Sequence, residues 1–122
     1  MVLVVEDDKD LLELVSELLE DNGYVVARAE NLTQARLNIL AKRPDIVVLD
    51  ATLPDGDGYD FCRELSDHPN PAETLPVLLL TGKAGLDQRM KAMLNGARKY
   101  LEKPFDIDIL VETVNSMTRV MN

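Results

Sequence analysis

The chain has 122 residues, of which 46% are hydrophobic and 29% charged, with one cysteine and a net charge of −9. This size and composition are typical of a single globular domain, and the excess of acidic residues argues against a nucleic-acid-binding surface. The apolar runs are too short to span a bilayer, no secretion leader is recognisable, and one cysteine excludes an internal disulfide. We therefore expect one domain over residues 1–122, located in the cytoplasm, that contacts neither nucleic acid nor membrane. It is expected to be either a single-domain protein or one domain of a longer protein.

Five short segments have the composition of β-strands. Three are unbroken aliphatic runs, VLVV at 2–5, IVVL at 46–49 and VLLL at 77–80. Such runs are typical of strands that are buried on both faces of a parallel sheet. YVVAR at 24–28 and RKYL at 98–101 are weaker patterns, and they predict the outer strands.

Helical patterns separate these strands. The spacing of apolar residues predicts helices over 9–21, 31–42, 58–67, 86–95 and 106–120. Asn22-Gly23 is a stop signal for the first helix, Asn31 and Gln34 resemble a capping pair for the second, and Asp106 is a candidate N-cap for the last. The alternation of strand and helix indicates an α/β fold, with a doubly wound five-stranded parallel sheet and helices on both faces.

Polar side chains follow four of the five predicted strands, at the carboxyl ends where ligands of such sheets bind. They are Glu6, Asp7 and Asp8 after the first strand, Asp50 at the end of the third, Thr81 at the end of the fourth, and Lys103 after the fifth. Carboxylates that converge repel one another, so they raise each other's pKa or recruit a cation, and an open all-oxygen site favours Mg²⁺. The simpler interpretation is that the acids cap the next helix, but one acid such as Asp8 is enough for that.

A metal ion, an ammonium and a hydroxyl around one exposed aspartate describe a phosphoryl-acceptor site. The Asp50 carboxylate would attack phosphorus in line, while the cations neutralise the phosphoryl oxygens and the hydroxyl bonds one of them. On the residues alone, a plain metal-binding site is an equal alternative. Pro104 follows Lys103, and an X-Pro bond of this kind invites a cis peptide that would aim the ammonium at the same edge.

Four motifs together resemble the receiver domain of two-component response regulators. They are VLVVEDD at 2–8, DIVVLDATLPDGDGYDFC at 45–62, PVLLLTGK at 76–83 and GARKYLEKPF at 96–105. Each motif alone is weak to moderate, but their order and spacing are specific, and the resemblance covers essentially the whole chain. It implies a flavodoxin-like sheet with strand order 2-1-3-4-5.

The resemblance implies roles for individual residues. Asp50 is implied to be the phosphoryl acceptor. Mg²⁺ is implied to be held by Glu6, Asp7, Asp50 and the backbone carbonyl of Thr52.

Three further residues match the catalytic and switch positions of the family. Thr81 and Lys103 are implied to assist phosphoryl transfer. Thr81 and Tyr100 are implied to move when the phosphoryl group is attached. Without the family, Tyr100 would be interpreted as a half-buried core aromatic.

The resemblance also implies the partners. A histidine kinase or phosphotransfer protein would donate the phosphoryl group, and the protein would catalyse its own phosphorylation and slow dephosphorylation rather than the turnover of a separate substrate. The surface of helix 4, strand 5 and helix 5 would then change and control an effector, or form a homodimer. The net charge is −11 over residues 1–82 and +4 over residues 83–103, which favours a partner surface there.

Some features depart from the family pattern or invite other interpretations. Gly82 follows Thr81 where alanine is common, and Thr52 and Lys83 flank the implied acceptor, so we expect an altered hydrolysis rate.

Other classes of protein fit the sequence less well. An EF-hand loop is disfavoured by Leu53 at its first ligand position, and a dehalogenase-type phosphatase needs an acid where Thr52 stands. Three acids after the first strand would repel the phosphate of a flavin cofactor. A phosphorylation-independent docking module remains the main alternative.

Overall fold

A computed structural model describes residues 1–82 and 85–121, with side chains described as far as residue 118. Five strands alternate with five helices. The strands are β1 (Val2–Val5), β2 (Val26–Ala29), β3 (Ile46–Asp50), β4 (Val77–Thr81) and β5 (Lys99–Glu102). The helices are α1 (Lys9–Asp21), α2 (Leu32–Ala41), α3 (Gly58–Ser66), α4 (Leu86–Leu94) and α5 (Ile107–Met121). A small hairpin pairs Thr52–Leu53 with Gly56–Asp57, and a 3-10 turn spans Pro71–Glu73.

The five main strands form one parallel sheet in the order β2-β1-β3-β4-β5, which confirms the predicted doubly wound fold and strand order. The register aligns the carboxyl ends of the central strands. Val5 pairs with Leu49, and Asp50 pairs with Leu80. Residues that follow these strands therefore share one edge of the sheet.

Apolar side chains cover both faces of the sheet, as the unbroken aliphatic runs predict. Alternate residues of β1, β3 and β4 point to opposite faces and join two separate cores. One core lies under α1 and α5, and the other lies under α2, α3 and α4. In the second core the thiol of Cys62 is fully buried, so this residue packs as a small apolar side chain, as predicted.

The predicted helix ends are largely confirmed by their caps. Asp8 accepts from the amides of Asp10 and Leu11 at the start of α1, and Asn31 accepts from the Gln34 amide (2.8 Å) at the start of α2. The Asp106 side chain accepts from the amide two residues later (2.9 Å), at the start of α5. These bonds satisfy amide groups that have no partner within the helix.

The second strand begins later than the sequence predicts. It was expected from residue 24, but β2 starts at Val26. Tyr24 packs against the core under α1 and α5, and its hydroxyl donates to Asn115 Oδ1 (2.5 Å), so a tertiary contact takes this residue out of the sheet. Within the described part of the chain, no helix is both long enough and apolar enough to cross a membrane.

Candidate functional site

Three carboxylates converge at the carboxyl edge of the sheet. Asp50 ends β3 and is 4% exposed, and Glu6 follows β1 and is 1% exposed, whereas Asp7 is exposed to solvent. One oxygen from each of the three lies within 4.8 Å of the others. The parallel register accounts for this convergence, because β1 and β3 are neighbours whose carboxyl ends coincide.

The Lys103 ammonium lies between the two buried acids. Its Nζ is 2.6 Å from Glu6 Oε1 and 3.2 Å from Asp50 Oδ2. The Lys103–Pro104 peptide is cis, as the sequence suggested, and the Lys103 amide donates to the Thr81 carbonyl (2.6 Å). Burial opposes the charged form of Lys103, but the hydrogen bond to Glu6 and the charge of Asp50 outweigh it and raise the pKa.

One ammonium does not compensate two buried carboxylates. Burial, and next the neighbouring Asp50, raise the pKa of Glu6 to about 7, although the hydrogen bond from Lys103 opposes this shift. The group of Glu6, Asp7 and Asp50 therefore carries an excess of negative charge on oxygen atoms. Such a donor set fits a hard divalent cation such as Mg²⁺, which prefers carboxylate and carbonyl ligands and keeps several waters.

The backbone after Asp50 is held in place by hydrogen bonds. The Thr52 amide donates to Asp50 Oδ1 (3.1 Å), and the Ala51 amide donates to the Leu80 carbonyl (2.7 Å). The Gly58 amide donates to the Ala51 carbonyl (2.9 Å), which brings the start of α3 against the end of β3. Thr52 lies two residues after Asp50, and the metal-binding role of its carbonyl stays a prediction.

The two predicted switch residues lie on neighbouring strands. Thr81 ends β4 and is 2% exposed. Tyr100, on β5, is half-buried against the core under α2, α3 and α4, and its hydroxyl donates to Glu102 Oε1 (3.1 Å). Burial and the Glu102 carboxylate raise the pKa of Tyr100 to about 12.

The structure identifies polar residues around the site that the sequence analysis did not select. Tyr59, Gln88 and Lys91 line a cavity of about 320 Å³ beside Thr52 and Thr81. Tyr59 lies in a predicted helix and in the motif at 45–62, but neither gives it a role, because its neighbours on β4 and α4 are distant in sequence.

Two acids of the loop after β3 act as helix caps. Asp57 accepts from the Tyr59 amide (2.7 Å) at the start of α3. Asp55 accepts from the amides of Leu32 (2.9 Å) and Thr33 (3.1 Å), so this loop caps the start of α2. The hydrogen bonds to the carboxylate lower the pKa of Asp55. The Asp55 contact joins segments more than twenty residues apart, so periodicity could not predict it.

Residues 83–103, which have a net charge of +4, expose less positive charge than this count implies. Arg89, Lys91, Arg98 and Lys99 are exposed, consistent with a charged surface on α4 and at the start of β5. Lys103, which contributes to the +4 count, instead turns inward and pairs with the buried acids. Lys83 lies outside the described residues.

A five-stranded parallel sheet with acids, a hydroxyl and a lysine at its carboxyl edge defines a receiver domain. The chain belongs to the response regulator receiver domain family, whose model matches residues 2–115. It is 34% identical to the transcriptional regulatory protein YxdJ of Bacillus subtilis and 36% identical to the response regulator MprA of Mycolicibacterium vanbaalenii, each over 118 residues. Both alignments cover 97% of this chain and 50% of the relative, so the chain spans about half the length of these relatives.

Solved structures of response regulators also have this fold. The receiver domain of the Francisella response regulator 1452 is 28% identical with a TM-score of 0.90, over 99% of this chain and 98% of that one. The Vibrio cholerae chemotaxis protein CheY4 is 28% identical with a TM-score of 0.84, over 95% and 96% of the two chains.

Proposed function

We propose that this receiver domain is a phosphorylation-activated signalling switch and that Asp50 is its phosphoryl acceptor. The observation that carries the proposal is the position of Asp50, which is 4% exposed and shares one pocket with Glu6, Asp7 and the Lys103 ammonium. The Lys103 ammonium 3.2 Å from Asp50 can stabilise an anionic group that is transferred to this carboxylate, and the two further acids can hold a cation beside it. An aspartate that only ends a strand would need none of these neighbours.

The phosphoryl group would come from the phosphohistidine of a histidine kinase or phosphotransfer protein. An Asp50 oxygen forms the new O–P bond as the N–P bond of the donor breaks, and the electron pair of that bond returns to the imidazole ring. Lys103 stabilises negative charge on the phosphoryl oxygens, and the Thr81 hydroxyl donates to one of them. Hydrolysis of the acyl phosphate later regenerates Asp50.

The acidic group supplies the ligands of the proposed metal site. Glu6, Asp7, Asp50 and the Thr52 carbonyl would hold Mg²⁺, which when bound supplies positive charge to the phosphoryl oxygens. Two of these carboxylates are buried with one ammonium between them, so a divalent cation would relieve their repulsion.

The output of the switch is proposed to be the surface of α4, β5 and α5. Phosphorylation favours an arrangement in which Thr81 turns toward Asp50 and Tyr100 follows, and this shift presents a changed surface to an effector, an output domain or a second copy of the chain. Residues 1–122 act as one receiver domain in this proposal, and the location is the cytoplasm.

Acetyl phosphate with Mg²⁺ provides a direct test. We expect intact mass spectrometry to show a gain of one phosphoryl group that is lost in Asp50→Asn. Asp57→Asn is the matched control, because Asp57 is an exposed acid of the same loop and asparagine preserves its capping bond. If the wild-type protein gains no phosphoryl group, the chain is instead a docking module that works without phosphorylation.

A further inference from the structure

Tyr59 links the acceptor pocket to α4. It is the second residue of α3, and its side chain is 6% exposed. The Lys91 Nζ lies 4.4 Å from the centre of the tyrosine ring, so a residue of α4 covers one ring face. The ring therefore has a fixed position beside Thr81, along the cavity next to the acceptor.

The Tyr59 hydroxyl has two oxygen neighbours. It lies 2.9 Å from Gln88 Oε1 on α4 and 3.4 Å from Thr81 Oγ1 on β4. A phenol carries one proton, so it can donate to only one of these atoms at a time. The shorter distance favours Gln88, so the contact with Thr81 is the weaker of the two.

The second switch residue packs against the same core as Tyr59. Tyr59 is a buried member of the core under α2, α3 and α4, and Tyr100 is partly buried against that core. The ring of Tyr59 thus belongs to the core that Tyr100 contacts, while its hydroxyl contacts Thr81.

We propose that Tyr59 is a positioning residue of the switch, which holds the Thr81 hydroxyl in its unphosphorylated place and shares its one proton between Thr81 and Gln88. This inference rests on the proposed function. When Thr81 turns toward a phosphoryl group on Asp50, its contact with Tyr59 is lost, and the phenol stays bonded to Gln88. Tyr59 therefore opposes activation, and Gln88 weakens that opposition by competing for the proton.

Beryllofluoride, a phosphoryl mimic, tests the inference through its affinity in the presence of Mg²⁺. Tyr59→Phe removes the hydroxyl and keeps the ring, so Thr81 loses a contact of the unphosphorylated state. We expect beryllofluoride to bind about two- to fivefold more tightly, roughly the factor of one modest hydrogen bond. Tyr24→Phe is the matched control, because that hydroxyl bonds α5 on the opposite face of the sheet, and its affinity should not change.

Gln88→Leu gives an effect of the opposite sign. It removes the competing acceptor, so the phenol proton becomes available to Thr81, and beryllofluoride should bind about two- to fivefold more weakly. In a Tyr59→Phe background the Gln88→Leu substitution should have no effect, because the two residues act through one proton. Loss of packing alone would not give opposite signs, and urea unfolding of each variant checks that it is folded.

The outcomes separate this inference from the proposed function. If wild-type protein binds beryllofluoride and Tyr59→Phe binds it equally well, the role of Tyr59 is wrong and the acceptor site stands. Shifts of the same sign in Tyr59→Phe and Gln88→Leu also overturn it. If wild-type protein neither binds beryllofluoride nor gains a phosphoryl group from acetyl phosphate, the proposed function fails, and this inference fails with it. Should Tyr59→Phe not fold, the sign of the Gln88→Leu shift still decides.

Discussion

Replacing Gly58 with alanine should directly disturb β3, the strand that ends in Asp50. Gly58 begins α3, and its backbone passes so close to the end of β3 that a Cβ there would lie 2.2 Å from the Asp50 carbonyl oxygen and 2.7 Å from the Ala51 Cα. Both neighbours are backbone atoms of buried residues at the end of β3, so neither can turn aside as a side chain could. Either α3 or the backbone of Asp50 must move.

The size of the effect follows from two opposing contributions. Overpacking of this kind costs about 1–3 kcal/mol, and contact with backbone places Gly58→Ala toward the upper part of that range. Alanine recovers at most about 1 kcal/mol through its better helix propensity. We therefore expect the free energy of unfolding to fall by about 2 kcal/mol. The Asp50 carboxylate, the proposed acceptor, also moves with its backbone, so labelling by acetyl phosphate should slow.

Urea unfolding measures the loss, and Gly82→Ala is the matched control. No described atom lies within 4 Å of a Cβ added at Gly82, and its φ is not in the left-handed region. The same change there should therefore be neutral, or stabilising by up to about 1 kcal/mol. If Gly58→Ala unfolds at the same urea concentration as both the wild type and Gly82→Ala, the close approach of α3 to β3 does not constrain the chain as we argue.

Three further measurements address the metal site, the buried thiol and a helix cap. Asp7→Ala should lose at least about tenfold more Mg²⁺ affinity than Asp8→Ala, because Asp7 belongs to the acidic group whereas Asp8 caps α1. Equal losses of affinity in a Mg²⁺ titration would contradict the proposed ligands. Acetyl phosphate labelling that is unchanged by EDTA would contradict them as well. Cys62 is fully buried, and burial raises the pKa of its thiol to about 11. Native protein at pH 8 should therefore react with a thiol reagent at least about a hundredfold more slowly than protein unfolded in urea. Similar reaction rates in the two states would refute the protection of the thiol by burial. Asp55→Asn should lower stability at neutral pH, because the hydrogen bonds to the carboxylate lower the pKa of Asp55 below 3.8. Its contribution is complete above pH 3.8 and is lost as pH falls through the lowered value, so the difference from wild type in urea unfolding should shrink in acid, and a difference that is constant with pH would exclude this origin.

Local patterns determined most of the architecture. Unbroken aliphatic runs such as VLVV and VLLL predict strands buried on both faces, because such residues have apolar neighbours on either side of a parallel sheet. Caps at Asp8, Asn31 and Asp106 could be predicted because each bonds amides within three residues. The meeting of Asp50 with Lys103 could be expected as well, because parallel strands bring their carboxyl ends to one edge.

The tertiary structure decided what depends on contacts between distant segments. The Tyr24 hydroxyl bonds α5 and removes its residue from β2, and Asp55 caps a helix that begins more than twenty residues before it. Lys103 counts as one more positive charge of a basic segment until the fold turns it toward Glu6, and Tyr59 is one more helical aromatic until β4 and α4 approach its hydroxyl. Periodicity describes which face of an element is apolar, but a hydrogen bond depends on the distance between two particular atoms, and that distance exists only once the elements have packed.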